Sequence, residues 1–247
     1  MELKKIALVT GAGKRIGRSI ALDLAKQNWS LIIHYHNSAE EAEEVAHTII
    51  TNGGQAYPIK ANLFHENEVK TLIPKAIKFF GSITCLINNA SIFEFDSIHT
   101  ANTESWHKHM EINLHAPFIL SQDFAKQEIN GNIINILDQR VLKLTPYFVS
   151  YTVSKMGLWT LTRTLALALA PKIRVNAIGP GPTLQSIHQT EQEFLEQCYS
   201  MPLHHGATLD DINNTIQFIL NTPALTGQII ALDGGEHLGW IVPGRKN

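Results

Sequence analysis

The chain has 247 residues, 44% of them apolar and 17% charged, with a formal net charge of −2. That balance excludes a disordered chain, and near-neutral charge with scattered Lys and Arg excludes the electrostatic footprint of a nucleic-acid binder. No unbroken apolar stretch of about 18 residues is present to cross a membrane, and two cysteines without a CxxC spacing point to free thiols in a reducing cytoplasm.

Residues 5–10 read as a strand, too short for the core of a signal peptide. A glycine turn and a helix over 16–28 follow. Further short apolar runs at 30–34, 55–59, 84–88, 132–137, 173–178 and 227–232 read as strands. Helical patterns at 39–51, 66–80, 104–127, 149–170 and 210–220 separate them. Connections of that length are crossovers, so the sheet is parallel and covered on both faces, and its strands are apolar throughout rather than alternating. The expected fold is one doubly wound α/β domain over 1–247, with ligands at the C-terminal strand ends. Residues 180–203 break the rhythm with Pro180, Pro182 and a polar helix-like stretch at 185–199. They read as a substrate lid, with an idle surface excursion as the plain alternative.

Three local patterns carry chemistry. Gly11, Gly13 and Gly17 lie between the first strand and first helix, where backbone N–H groups and a helix N-terminus suit a phosphate; a ligand-free turn is the plain alternative. The second strand ends in His34, Tyr35, His36, Asn37 and Ser38, with no acid about 20 residues past the glycines to hold a ribose 2′-OH. His and Ser donors, with Lys14 and Arg15 in the adjacent turn, favour a 2′-phosphate and hence NADP(H) over NAD; the histidines otherwise only pack the sheet end. Tyr151 and Lys155 share a helix face, and an ammonium beside a phenol is expected to lower its pKa into a usable range. Twelve histidines hold no metal-ligand spacing: His204 and His205 are adjacent, and His107 and His109 point to different helix faces. No metal is expected.

Taken together, the glycine turn, Asn88–Asn89–Ala90, Asn113, Tyr151 with Lys155, Gly179–Pro180–Gly181 and Asp233–Gly234–Gly235 resemble the short-chain dehydrogenase/reductase family over nearly the whole chain. The resemblance implies a Rossmann-type doubly wound seven-stranded parallel sheet, a nicotinamide cofactor and a homotetramer. Arg15 stands where most members have Gly, and Asp138 where most have a catalytic Ser. With Ser91, Phe93 and the 34–38 strand end, these resemble the pteridine reductase and dihydromonapterin reductase branch.

That branch implies a pterin between the nicotinamide and Phe93, with Arg15, Ser91, Asp138, Tyr151, Gly181 and Leu184 around the substrate. It implies Tyr151, Lys155, Asp138 and Asn113 as the catalytic set, with Asn113 positioning a water that links Lys155 to solvent. The cofactor would be held by Gly11, Lys14, Arg15, Ile16, Gly17, His34 to Ser38, Asn62, Leu63, Asn89, Ala90, Ser91, Tyr151, Lys155, Pro180, Gly181 and Thr183. A carboxyl at 138 suits a substrate edge bearing N–H donors; as a plain alternative, Asp138 caps a turn. Asn62 replaces the family's usual Asp at adenine, and Arg140, which matches no known pterin contact, suits either an acidic substrate tail or an interface. Two other functions compete: a short-chain reductase of a carbonyl substrate (sugar, lipid or 3-oxoacyl type), and a dinucleotide-binding protein without catalysis.

Overall fold

The structure is a computed structural model that describes residues 4–186 and 189–239. Seven strands form one parallel sheet: β1 (Ile6–Val9), β2 (Ser30–Tyr35), β3 (Gln55–Lys60), β4 (Cys85–Asn88), β5 (Gly131–Ile136), β6 (Ile173–Pro180) and β7 (Ile229–Leu232). Their order is β3-β2-β1-β4-β5-β6-β7, all neighbours parallel. The order reverses between β1 and β4, the position at which doubly wound sheets open a ligand crevice. This is the Rossmann-type arrangement. Pro58 sits in β3, an edge strand that can tolerate a missing N–H.

Among the described residues the α-helices are α1 (Arg15–Lys26), α2 (Ala39–Thr51), α3 (Glu66–Phe80), α4 (Thr103–Met110), α5 (Ala116–Ala125), α6 (Val149–Ala168), α7 (Glu191–Tyr199) and α8 (Leu209–Asn221), most of them packed about the sheet. Alternate residues of one strand enter opposite cores. Ala7 and Val9 pack with Ile20 and Leu24 of α1, Val45 of α2 and Ile216 of α8. Ile6 and Leu8 pack with Leu72 of α3, Phe124 of α5 and Ala166 of α6. Two buried faces explain why the strands are apolar throughout. No described helix is long and apolar enough to cross a membrane. Cys85 is buried and Cys198 half-buried, both free.

Two helical readings change. The pattern over 104–127 is not one helix: α4 and α5 are separated by a π-helical turn, Glu111–His115. The extra residue of that turn brings Asn113 inward, 1% exposed. Such insertions recur at functional sites. The polar stretch over 185–199 is helical only from Glu191, because Thr190 and Glu193 form a reciprocal capping box that fixes the start there. Of the expected lid, Ile187 and His188 lie outside the described residues.

The crevice depends on how closely β1, α1 and the end of β4 approach. A methyl group on Gly17 would meet the Gly11 carbonyl oxygen and stand 2.5 Å from Asn89 Nδ2. Gly17→Ala is therefore expected to destabilise the fold by about 1–3 kcal/mol through overpacking. A urea-unfolding midpoint equal to wild type contradicts this close packing.

Candidate active site

At the C-terminal strand ends lies a cavity of about 620 Å³. Its lining includes Arg15, Ile16, Asn89, Ser91, Phe93, Asp138, Tyr151, Lys155, Pro180, Gly181, Thr183 and Leu184, all singled out by the sequence. Arg140, Phe148, Phe194 and Glu236 also line it; sequence reasoning placed none of the last three there.

One side is the phosphate-type turn. Helix α1 starts with Lys14 as its N-cap, which makes no side-chain cap bond, and no acid stands in the first turn. The uncapped N–H groups and the positive helix end suit an anion. Gly11 is left-handed (φ +63°), and a Cβ there would stand 3.1 Å from Ala90 Cα, so the turn needs glycine. Arg15 leaves this turn with a positive φ of its own, and its guanidinium donates to the Leu184 carbonyl, tying the turn to the 180–203 excursion.

The second-strand histidines divide. His34 is 2% exposed; its Nδ1 accepts from Gly11 N–H at 3.0 Å and its Nε2 bonds the Ala61 carbonyl at 3.1 Å. With both nitrogens committed inside the protein, His34 is no phosphate donor, a correction to the expectation. It joins the ends of β1, β2 and β3 instead. Burial pulls its pKa down to about 4. His36 and Asn37 are exposed and Ser38 half-exposed beside the turn, and Tyr35 packs partly into the core. Lys14 pairs with Glu41 at 2.6 Å. Asn62 turns Oδ1 onto its own loop, accepting from Phe64 N–H, and Leu63 is buried.

The opposite side is built on the end of β5. Lys155 is 2% exposed and donates to the Ile136 carbonyl at 2.8 Å. Burial lowers its pKa to about 8, against the opposing pull of Asp138. Tyr151 donates its hydroxyl to Asp138 Oδ2 at 2.9 Å. Burial, then the Asp138 charge and this bond, raise the phenol well above its usual pKa, with Arg140 opposing. That reverses the expected lowering by Lys155. Burial is the first reason, and geometry the second: the ammonium lies 5.8 Å from the ring centre and is bonded to Ile136, whereas the carboxylate touches the hydroxyl. Asp138 also takes Arg140 N–H on Oδ1 at 2.8 Å, so the capping role and the cavity role coexist.

The aromatic wall is held by three inward polar residues. Asn113 Oδ1 accepts from Ser91 Oγ and Ile92 N–H, and its Nδ2 donates to the Ile92 carbonyl and Ser154 Oγ. These bonds fix the loop after β4. His109, fully buried, takes Glu94 N–H at 3.3 Å, while Asp96 takes Ser150 N–H and caps α6 from outside its own sequence. Phe93 consequently stands at the cavity, stacked on Phe148 with ring centres 4.3 Å apart and edge-on to Tyr151. Phe148 holds the left-handed conformation just before α6. No local sequence signal marks Asp96 or Phe148, because each acts through a partner distant in the chain.

Comparison with known proteins agrees with this architecture. The model of the short chain dehydrogenase family matches residues 5–196. FolM Alternative dihydrofolate reductase 1 from Brucella suis, crystallised in complex with NADP, superposes with a TM-score of 0.93 at 42% identity, covering 96% of each chain. The Brucella canis protein of the same name, also complexed with NADP, gives 0.91 at 41% identity, again covering 96% of each chain. The 3-oxoacyl-[acyl-carrier-protein] reductase FabG of Staphylococcus aureus (strain Mu50 / ATCC 700699) is 33% identical over 246 residues, 96% of this chain and 100% of its own length.

His34 gives a test by pH. An unfolded His titrates near 6.5, and the folded ring near 4, so stability is full above about 6.5 and falls as pH drops toward 4. The loss is expected to be roughly 3 kcal/mol over that window. Chemical denaturation at stepped pH should show this slope in wild type and lose it in His34→Leu. An unchanged slope in the variant contradicts the buried neutral ring.

Proposed function

The chain belongs to the short-chain dehydrogenase family, and from that premise we propose that it is an NADPH-dependent reductase of a dihydropterin or dihydrofolate-type C=N bond. The observation that carries the substrate reading is the Tyr151 hydroxyl bonded to the Asp138 carboxylate beside the stacked Phe93 and Phe148 rings. A serine hydroxyl donates to a carbonyl oxygen; a carboxylate accepts from the N–H edge of an aminopyrimidine ring. The reading is supported by the 42% identity to the Brucella suis protein.

The residues fit the cofactor. The uncapped α1 end and Arg15 would hold its diphosphate, His36, Asn37 and Ser38 its 2′-phosphate, Lys155 its nicotinamide ribose, and Pro180, Gly181 and Thr183 the nicotinamide side. When bound, NADPH supplies the hydride. Burial keeps Tyr151 a phenol, so its proton stays on Oη, shared with Asp138 Oδ2. Either oxygen delivers that proton to a ring nitrogen, and Asp138 also orients the heterocycle. Lys155 holds charge below about pH 8. We also propose one domain with residues 180–203 as substrate lid, a cytoplasmic location and a homotetramer. The FabG relatives support a second reading, reduction of a 3-oxoacyl carbonyl.

Purified protein is expected to oxidise NADPH with 7,8-dihydropterins or dihydrofolate and not with a 3-oxoacyl thioester. The reverse pattern assigns the carbonyl reading instead. Asp138→Asn should lower kcat/KM for the pterin by about 10²–10⁴-fold, the usual weight of a positioned acid/base; wild-type kinetics in that variant contradict its role. NADPH affinity should weaken as pH rises through about 8, where Lys155 loses its proton. An affinity flat from pH 7 to 9 contradicts the ribose assignment.

A further inference from the structure

The Arg140 guanidinium has one polar partner among the described residues. Its Nη1 stands 3.4 Å from Asp138 Oδ2, long for a charge-assisted bond. Its Nε is buried and has no acceptor among the described residues. On the same cavity wall, Glu236 Oε2 is buried with no donor. The 3-10 turns that carry the two residues, Gln139–Val141 and Glu236–Leu238, pack against each other. Lys143 does not serve the Glu236 carboxylate; its ammonium donates to the Glu236 backbone carbonyl at 3.0 Å. A buried donor and a buried acceptor of opposite charge are costly to leave unpaired, and here they are neighbours.

Asp138, by contrast, is crowded. Oδ1 takes Arg140 N–H, and Oδ2 takes both the Tyr151 hydroxyl and the Arg140 guanidinium. A substrate donor needs Oδ2, and the side chain in its way is the guanidinium. Arginine cannot lose its proton, so it must leave with its charge and find another acceptor. Gln139 Oε1 is also buried and unpaired, but it is neutral. Glu236 supplies the charge.

We propose that Arg140 has a second resting place on Glu236, and that transfer of its guanidinium from Asp138 to Glu236 opens the Asp138 carboxylate to a planar N–H edge of the substrate. Glu236 is then a positioning residue that acts through Arg140. The burial of Glu236, which raises its carboxyl above the usual range, is offset by Arg140 and Lys143 nearby; closer approach of the guanidinium strengthens that offset. The guanidinium carbon already lies 5.2 and 5.0 Å from the Phe93 and Phe148 ring centres, so it remains beside the aromatic wall. The identity of the incoming edge rests on the pterin reading.

The experiment is a double-mutant cycle on NADP+-loaded protein, with 2,4-diaminopteridine as the calorimetric probe. Glu236→Gln is expected to weaken probe binding about 10-fold in the wild-type background and less than about twofold in Arg140→Met, because residues coupled through one contact are not additive. NADP+ affinity and the thermal midpoint should match wild type in Glu236→Gln. Glu236→Asp, which keeps the charge, should recover part of the loss. Equal effects in both backgrounds overturn the proposal, as does a wild-type protein that does not bind the probe. NADPH oxidation with a dihydropterin is scored separately. Coupling retained without pterin turnover supports the Arg140 transfer and removes only the substrate assignment.

Discussion

The site depends on the last turn of β5. The Ile136 carbonyl takes the Lys155 ammonium, and two residues further on Asp138 takes the Tyr151 hydroxyl and the Arg140 backbone N–H. One strand end thus sets the height and rotation of α6 against the sheet. A carbonyl and a carboxylate are both acceptors, so the charges divide: the lysine keeps a proton below about pH 8 and the phenol keeps its own to well above its usual range. The pair is a proton store beside a fixed cation, which is the electrostatic pattern of a reductase that must complete a hydride transfer with a proton.

Around that strand end, buried polar groups provide the rigidity. Asn88 donates to Asn135, and Asn135 donates to Thr162, a buried chain from β4 through β5 to α6. Asn113, His109 and Asp96 clamp the loop that carries Ser91 and Phe93. Apart from the Asn88 Oδ1, which is buried without a partner, these groups are hydrogen-bonded in an apolar setting, costly to break and therefore specific about geometry. His34 does the same for the phosphate-type turn. The part proposed to move is different in kind: Arg140 is charged, bonded weakly to Asp138 and left with a buried, unpaired Nε.

Much of this was legible in the residues. Strand and helix identity followed from apolar runs of fixed length, and Gly17, Tyr151 and Lys155 announced themselves by spacing. What escaped was whatever depends on packing between distant segments. The single residue that shifts helix 104–127 into a π turn leaves no mark on hydrophobic period, so the bonds by which Asn113 holds the 91–92 loop could not be read from the sequence. His34 carries the residue type of a phosphate donor, and only its burial beneath Gly11 reveals a structural ring. The shift of the phenol was misjudged for a similar reason. Spacing places Lys155 near Tyr151, but not nearer than Asp138.

The central claim is that burial and the Asp138 charge together hold the Tyr151 phenol up, and that Lys155 does not bring it down. Ultraviolet difference titration measures it directly, with Tyr151→Phe subtracted to isolate one of the five tyrosines. In Asp138→Asn the Tyr151 phenol should ionise at lower pH than in wild type, because a neighbouring negative charge has been removed. A phenol whose titration is unmoved, or moves upward, in Asp138→Asn contradicts the account.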